Sequence, residues 1–176
     1  MLHSEVTKLN KGRRGEGMGK GKTLEPITVT ITGHSLGGAL AALTAFDYTR
    51  SIRRDEEEET EEDGPVVYVR VYTYGEPRVG NDAFAKKYGE TVGESWRVVN
   101  GGDVVSRVPM RNFGYEHEGT EVWMEGGGEV YKVCEGGEDP SCSSSLSWIF
   151  DVNDTDHTKG WFGEKGGVDG TMCNLT

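Results

Sequence analysis

Ser35 stands in Gly33-His34-Ser35-Leu36-Gly37, a Gly-x-Ser-x-Gly run that places a hydroxyl between small residues. The chemistry on offer is nucleophilic attack on a carbonyl. A serine hydroxyl alone is too weakly acidic for this, so it needs a general base, and the base needs an orienting acid. The chain has four histidines. His3 lies in a terminal segment. His34 adjoins Ser35 and reads as packed, with its side chain directed elsewhere on the turn. His117 and His157 remain as bases. The acids within reach of such a role are Asp103, Asp151, Asp154 and Asp156.

With 27 glycines in the chain, the run could arise by chance as an ordinary strand–turn–helix connection, so its flanks decide. β-branched residues fill Ile27–Thr32, the pattern of a buried strand. Small residues of high helix propensity follow from Ala39 toward Phe46, in a helix expected to reach Arg54. Strand, Gly-x-Ser-x-Gly turn and helix form the nucleophile elbow of α/β-hydrolases. The turn is sharp, so Gly33 and Gly37 are expected to give room on both sides of the serine, and Gly38 to bring the helix close to the sheet.

Further strands are expected at Val66–Tyr74, Ser95–Val99, Thr120–Met124 and Glu129–Val133, the last two paired as a hairpin through Gly126-Gly127-Gly128. Asn81 reads as the cap of a helix from Asp82 to about Tyr88. Alternating strands and helices imply a parallel sheet with functional residues at the C-terminal strand ends. The order Ser…Asp…His of this fold favours His157, on a late loop, over His117. Asp103 follows the third strand and is the expected orienting acid. Its competing reading is a turn-former after Gly101-Gly102. The Leu36 N–H, next after the nucleophile, is an oxyanion-hole donor.

Composition narrows the partners. A net charge of −11 argues against nucleic acid and against electrostatic attraction to anionic membranes. No apolar run is long enough to span a bilayer, and Met1-Leu2-His3-Ser4-Glu5 does not read as a signal peptide, because no apolar region follows it. Residues 1–26 read as a partial amphipathic helix (Leu2, Val6, Leu9) followed by a basic Gly-rich segment, a solvated loop in preference to a basic arm. Residues 55–63 are nearly all carboxylates and read as a disordered acidic insert. Asn153-Asp154-Thr155 and Asn174-Leu175-Thr176 fit the glycosylation pattern. Of the three cysteines, Cys134 and Cys142 are close enough to close a small loop, which leaves Cys173.

Five blocks in order carry a resemblance. Gly33-His34-Ser35-Leu36-Gly37-Gly38-Ala39-Leu40-Ala41 resembles the elbow of the fungal class 3 lipases, a family of triacylglycerol lipases and feruloyl esterases. Tyr74-Gly75-Glu76-Pro77-Arg78-Val79-Gly80-Asn81 is similar to a second block, and Asn100 to Pro109 to the block carrying the triad acid. Phe113-Gly114-Tyr115-Glu116-His117, followed by Glu121-Val122-Trp123, resembles a fourth. Asp156-His157-Thr158 with Trp161-Phe162-Gly163 resembles the block carrying the triad histidine.

The resemblance implies an α/β-hydrolase-type parallel sheet with flanking helices and a C-terminal hairpin. Ser35, Asp103 and His157 would be its catalytic residues, with His117 outside the triad. It implies a Cys134–Cys142 disulfide and a partner for Cys173 near a full-length N-terminus. It also implies that further strands, a lid and the first oxyanion-hole donor precede the elbow in the family. Residues 27–176 then read as the C-terminal part of a secreted lipase domain. The expected function is hydrolysis of lipid carboxylic esters through an acyl-enzyme, at a lipid–water interface, with no metal or cofactor called for. The alternative is a catalytically inactive fragment that acts by protein binding.

Overall fold

The computed structural model describes residues 25–58, 65–125, 130–147 and 151–161. The basic Gly-rich segment, most of the acidic insert, the hairpin link, residues 148–150 and Cys173 lie outside the described residues. Five strands form one sheet in chain order: β1 (Ile27–His34), β2 (Val67–Tyr74), β3 (Glu94–Asn100), β4 (Thr120–Glu125) and β5 (Val130–Val133). The first three pairings are parallel and the last, β4 with β5, is antiparallel. Helices α1 (Leu36–Glu58) and α2 (Asp82–Thr91) carry the first two crossovers. The third crossover, from β3 to β4, has two 3-10 turns, Val105–Arg107 and Arg111–Phe113, in place of a helix. A single helical turn, α3 (Thr155–Thr158), follows the hairpin.

Parallel pairing fixes which ends meet. His34 lies opposite Tyr74, and Tyr74 opposite Val98. The C-terminal ends of β1, β2 and β3 therefore open onto one edge of the sheet, where a parallel fold gathers its chemistry. Two sheet faces are packed. On one, Ala42 and Ala45 of α1 and Tyr88 of α2 close over Val71, with Phe46 and Phe84 alongside. The alanines let α1 lie close to the strands, and the Phe46–Phe84 ring pair fills the helix–helix gap at 5.4 Å between centroids. Adjacent residues of β3 split between two further clusters. Val99 packs with Trp123, Cys134 and Cys142, and Val98 with Met124 and Trp161. This is the period-2 alternation of a strand buried on both faces.

Both helices outrun their sequence-based limits. α1 continues past Arg54 to Glu58, into the first residues of the acidic insert. Extending an established helix fixes one residue per added hydrogen bond, and the helix propensity of glutamate carries it on although acidic residues at a helix C-terminus oppose the dipole. α2 passes Gly89 and ends at Thr91, because Tyr88, Thr91 and Val92 are buried and their packing overrides the glycine's poor propensity. The Asn81 cap forms as expected, its side-chain oxygen accepting the Phe84 N–H at 2.9 Å.

β1 lies at one edge of the sheet. Beside it α1 exposes Leu36, Leu40 and Leu43 by 67%, 57% and 44%, an apolar stripe at i, i+4 and i+7. Among the described residues no helix is long and apolar enough to cross a membrane.

Cys134 and Cys142 form a disulfide, and both are buried against Trp123. Replacing both by alanine should lower unfolding stability by about 2–4 kcal/mol, read as a reduced denaturant midpoint. An unchanged midpoint would show that Trp123 and Val99 hold this corner without the bridge.

Candidate active site

Ser35 has φ +57°, the one positive φ among the described non-glycine residues. An L-residue in this region costs on the order of 1–3 kcal/mol and persists only where its surroundings over-determine it. Here they do. The Ser35 N–H donates to Tyr74 O at 2.9 Å, as though the strand continued, while Ser35 O accepts from the Gly38 N–H at 2.9 Å, as though the helix had begun. A side chain at Gly33 would put Cβ 2.1 Å from the Gly37 carbonyl oxygen. At Gly38 it would lie 3.1 Å from Glu76 Cβ and 3.3 Å from Thr73 Cβ. Gly37 has open space at its Cβ position, so the expectation of a steric need there is corrected. The room is needed at Gly33, under the turn, and at Gly38, against β2.

The turn aims the hydroxyl at His157. His157 Nε2 lies 2.8 Å from Ser35 Oγ, and His157 Nδ1 lies 3.0 and 2.9 Å from Asp103 Oδ1 and Oδ2. Asp103 is fully buried and accepts two further hydrogen bonds, from the Val105 N–H at 2.8 Å and the Ser106 hydroxyl at 3.3 Å. A carboxylate accepts only, so Nδ1 must carry the proton, which leaves Nε2 as the acceptor facing Ser35. Gly75, with φ +57°, makes this close approach feasible. A Cβ there would sit 2.6 Å from Asp103 Oδ2 and 2.9 Å from His157 Nδ1. Leu36 opens α1, so its N–H is one of those the helix cannot satisfy internally, at the positive end of the helix dipole.

The loop bearing His157 is tied to the end of β3. Buried Asn100 donates through Nδ2 to the carbonyls of Asp156 at 2.9 Å and Lys159 at 2.8 Å, one on each side of the histidine. Asp156 points away from His157 and accepts from the Gly102 N–H at 2.8 Å and from Asn153 Nδ2 at 2.9 Å. Asp151 caps the Ser147 N–H. His117 is buried elsewhere, its Nε2 donating to Ser106 O at 2.7 Å. Burial, then the charges of Arg97 and Arg78, hold its pKa well below the ordinary histidine value. It supports the Asp103 loop as a neutral donor.

His34 departs from the sequence expectation. It is exposed, and its ring stacks on that of His157 with centroids 4.6 Å apart. His34 is the last residue of β1, and strand alternation puts it on the exposed side with Thr28, Thr30 and Thr32, where the returning histidine loop meets it.

A buried charged layer beneath the site was also silent in the sequence. Arg97 and Glu121 pair at 2.9 Å with both side chains 1% exposed. Glu76 and Glu118 are buried nearby, and the Thr73 hydroxyl donates to Glu76 at 2.5 Å. Burial raises the pKa of both glutamates, and the charge of Glu76 pushes Glu118 further, well above the ordinary carboxyl value.

A mixed, mostly parallel sheet with flanking helices and a serine on a strained strand-to-helix turn is an α/β-hydrolase-like arrangement. The family model for "Lipase (class 3)" matches residues 15–113, and the chain belongs to that family. It is 39% identical over 131 residues to a secreted mono- and diacylglycerol lipase of Fusarium solani, covering 69% of this chain and 35% of that protein. Among solved structures, lipase II from Rhizopus niveus superimposes with a TM-score of 0.67 at 28% identity, over 92% of this chain and 52% of that one. A triacylglycerol lipase described as having a serine protease triad as its catalytic centre gives 0.66 at 31% identity, over 91% of this chain and 52% of its own. The chain thus spans from about a third to about half the length of these relatives.

The glutamate pair gives stability a pH dependence. A carboxyl whose folded pKa is raised contributes fully below the unfolded pKa, near 4.3, and its contribution is lost as pH rises through the folded value. Unfolding midpoints should therefore fall as pH rises above about 5. Glu118→Gln should flatten that slope and be the more stable form at pH 8, by on the order of 1–3 kcal/mol. Parallel pH profiles for the two proteins would contradict this.

Proposed function

We propose that this chain carries the catalytic site of a serine ester hydrolase of the lipase type, acting on carboxylic esters of lipids. The observation that carries the reading is the hydrogen-bonded chain from Ser35 Oγ through His157 to Asp103 on a strained turn. It is supported by membership of the class 3 lipases and by likeness to a lipase described as having a serine protease triad.

In this reading Ser35 Oγ attacks the ester carbonyl carbon while His157 Nε2 takes its proton. Asp103 keeps His157 in the tautomer that can accept and offsets the imidazolium charge. The carbonyl oxygen becomes an oxyanion facing the Leu36 N–H at the start of α1. The intermediate collapses, His157 returns the proton to the departing alcohol, and the acyl group remains on Ser35. Water, deprotonated by His157, repeats the attack and releases the carboxylic acid. All proton transfers run through one imidazole, so the sequence calls for no cofactor.

An acylglycerol substrate is favoured by the names of the relatives, and exposed Leu36 beside Ser35 suits an acyl chain at a lipid–water interface. Secretion is favoured by the Fusarium relative's description and by a disulfide, which persists in oxidising compartments.

The test is turnover of a soluble acyl ester. Ser35→Ala and His157→Ala should each lower kcat by on the order of 10³-fold or more, with Asp103→Asn nearly as severe because it permits the wrong tautomer. A Ser35→Ala protein as fast as the parent would remove the assignment. The second reading, a non-catalytic protein-binding chain, draws on the exposed stripe of Leu36, Leu40 and Leu43 and would be favoured by a folded parent without turnover.

A further inference from the structure

We propose that His34 is a positioning residue for His157, locking the ring whose Nε2 must meet Ser35. The inference rests on the reading of His157 as the base.

Two contacts make the lock. The rings of His34 and His157 stack at 4.6 Å with 29° between their planes. His34 Nε2 also lies 2.9 Å from the His157 carbonyl oxygen, which can only accept, so that nitrogen carries a proton and donates. The same carbonyl receives a second donor, Trp161 Nε1–H at 3.1 Å. Trp161 is buried and sets its edge to the His34 ring at 5.8 Å and to the Tyr74 ring at 6.0 Å.

These contacts do what Asp103 cannot. Asp103 holds Nδ1 in the plane of the imidazole but leaves the ring free to tilt about that hydrogen bond. Any tilt carries Nε2 away from Ser35 Oγ. A ring against one face removes that freedom, and a donor on the backbone carbonyl fixes the point from which the side chain hangs. The lock is also coupled to the nucleophile. His34 is the last residue of β1 and adjoins Ser35, so one strand end carries both the hydroxyl and the stacking ring. Positioning within a fraction of an ångström is where such a residue acts on rate.

Three substitutions separate the parts. His34→Gln keeps an N–H within reach of the carbonyl, His34→Phe keeps a ring face, and His34→Ala keeps neither. His34→Ala should lower kcat on a soluble ester on the order of tenfold to a hundredfold, with KM within about twofold of the parent. In the same protein, the low-field proton resonance of His157 Nδ1–H should broaden or vanish as solvent exchange speeds up, with the melting temperature unchanged. The Gln and Phe variants should each recover part of the rate and part of the resonance. His34→Ala with parental kcat and a sharp resonance would overturn the proposal. If the alanine protein fails to fold, Gln and Phe variants that both match the parent would overturn it equally. Ser35→Ala serves as the separate control. Turnover surviving that change would defeat the reading of the site itself, whereas turnover lost there and retained in His34→Ala defeats only the role of His34.

Discussion

The hydrogen bond between Ser35 Oγ and His157 Nε2 joins residues 122 apart in the chain, and the rest of the structure is arranged to make it. Such a contact closes only if three separate strand ends arrive together. β1 delivers Ser35, the turn after β2 clears space through Gly75, and β3 delivers Asp103 and Asn100. Parallel pairing places these ends side by side, and the loop carrying His157 is then laid across them and fastened to β3 by Asn100.

The arrangement is costly. Ser35 occupies a backbone region that L-residues avoid, and four ionisable side chains, Glu76, Arg97, Glu118 and Glu121, lie buried in the same body of the protein. The strain is tolerated because strand and helix both claim the Ser35 backbone, and neither could do so if the residue relaxed. Gly38 brings α1 against Glu76 and Thr73, so the base of the turn rests directly on part of the charged layer.

Much of this was legible in the residues. β-branched runs marked β1 and β2, Asn81 marked the start of α2, and the order of Ser35, Asp103 and His157 matched one fold. What was hidden depended on geometry that residue types do not encode. His34 read as packed away because its neighbour held the chemistry, yet it sits on the exposed side of the β1 end, where the loop carrying His157 crosses it. Gly37 read as a steric need because it completes the motif, while the close approach falls at Gly33 and Gly38. Asn100 entered only as the start of a sequence block, and nothing in its type shows that it ties down the loop on both sides of His157. The glutamate pair gave no signal, since Glu76 and Glu118 lie in polar surroundings in the chain and become neighbours only when β2 and the loop before β4 converge on the interior.

The proposed chemistry requires that this chain hold Ser35 as an activated nucleophile. Covalent labelling by a fluorophosphonate, followed by peptide mass spectrometry, tests it most directly, because the probe reacts only where a serine is already activated by a base. One label per chain is expected, on the peptide containing Ser35, and it should be lost when His157 is replaced by alanine. Labelling absent from the folded parent, or spread over other serines, would contradict it.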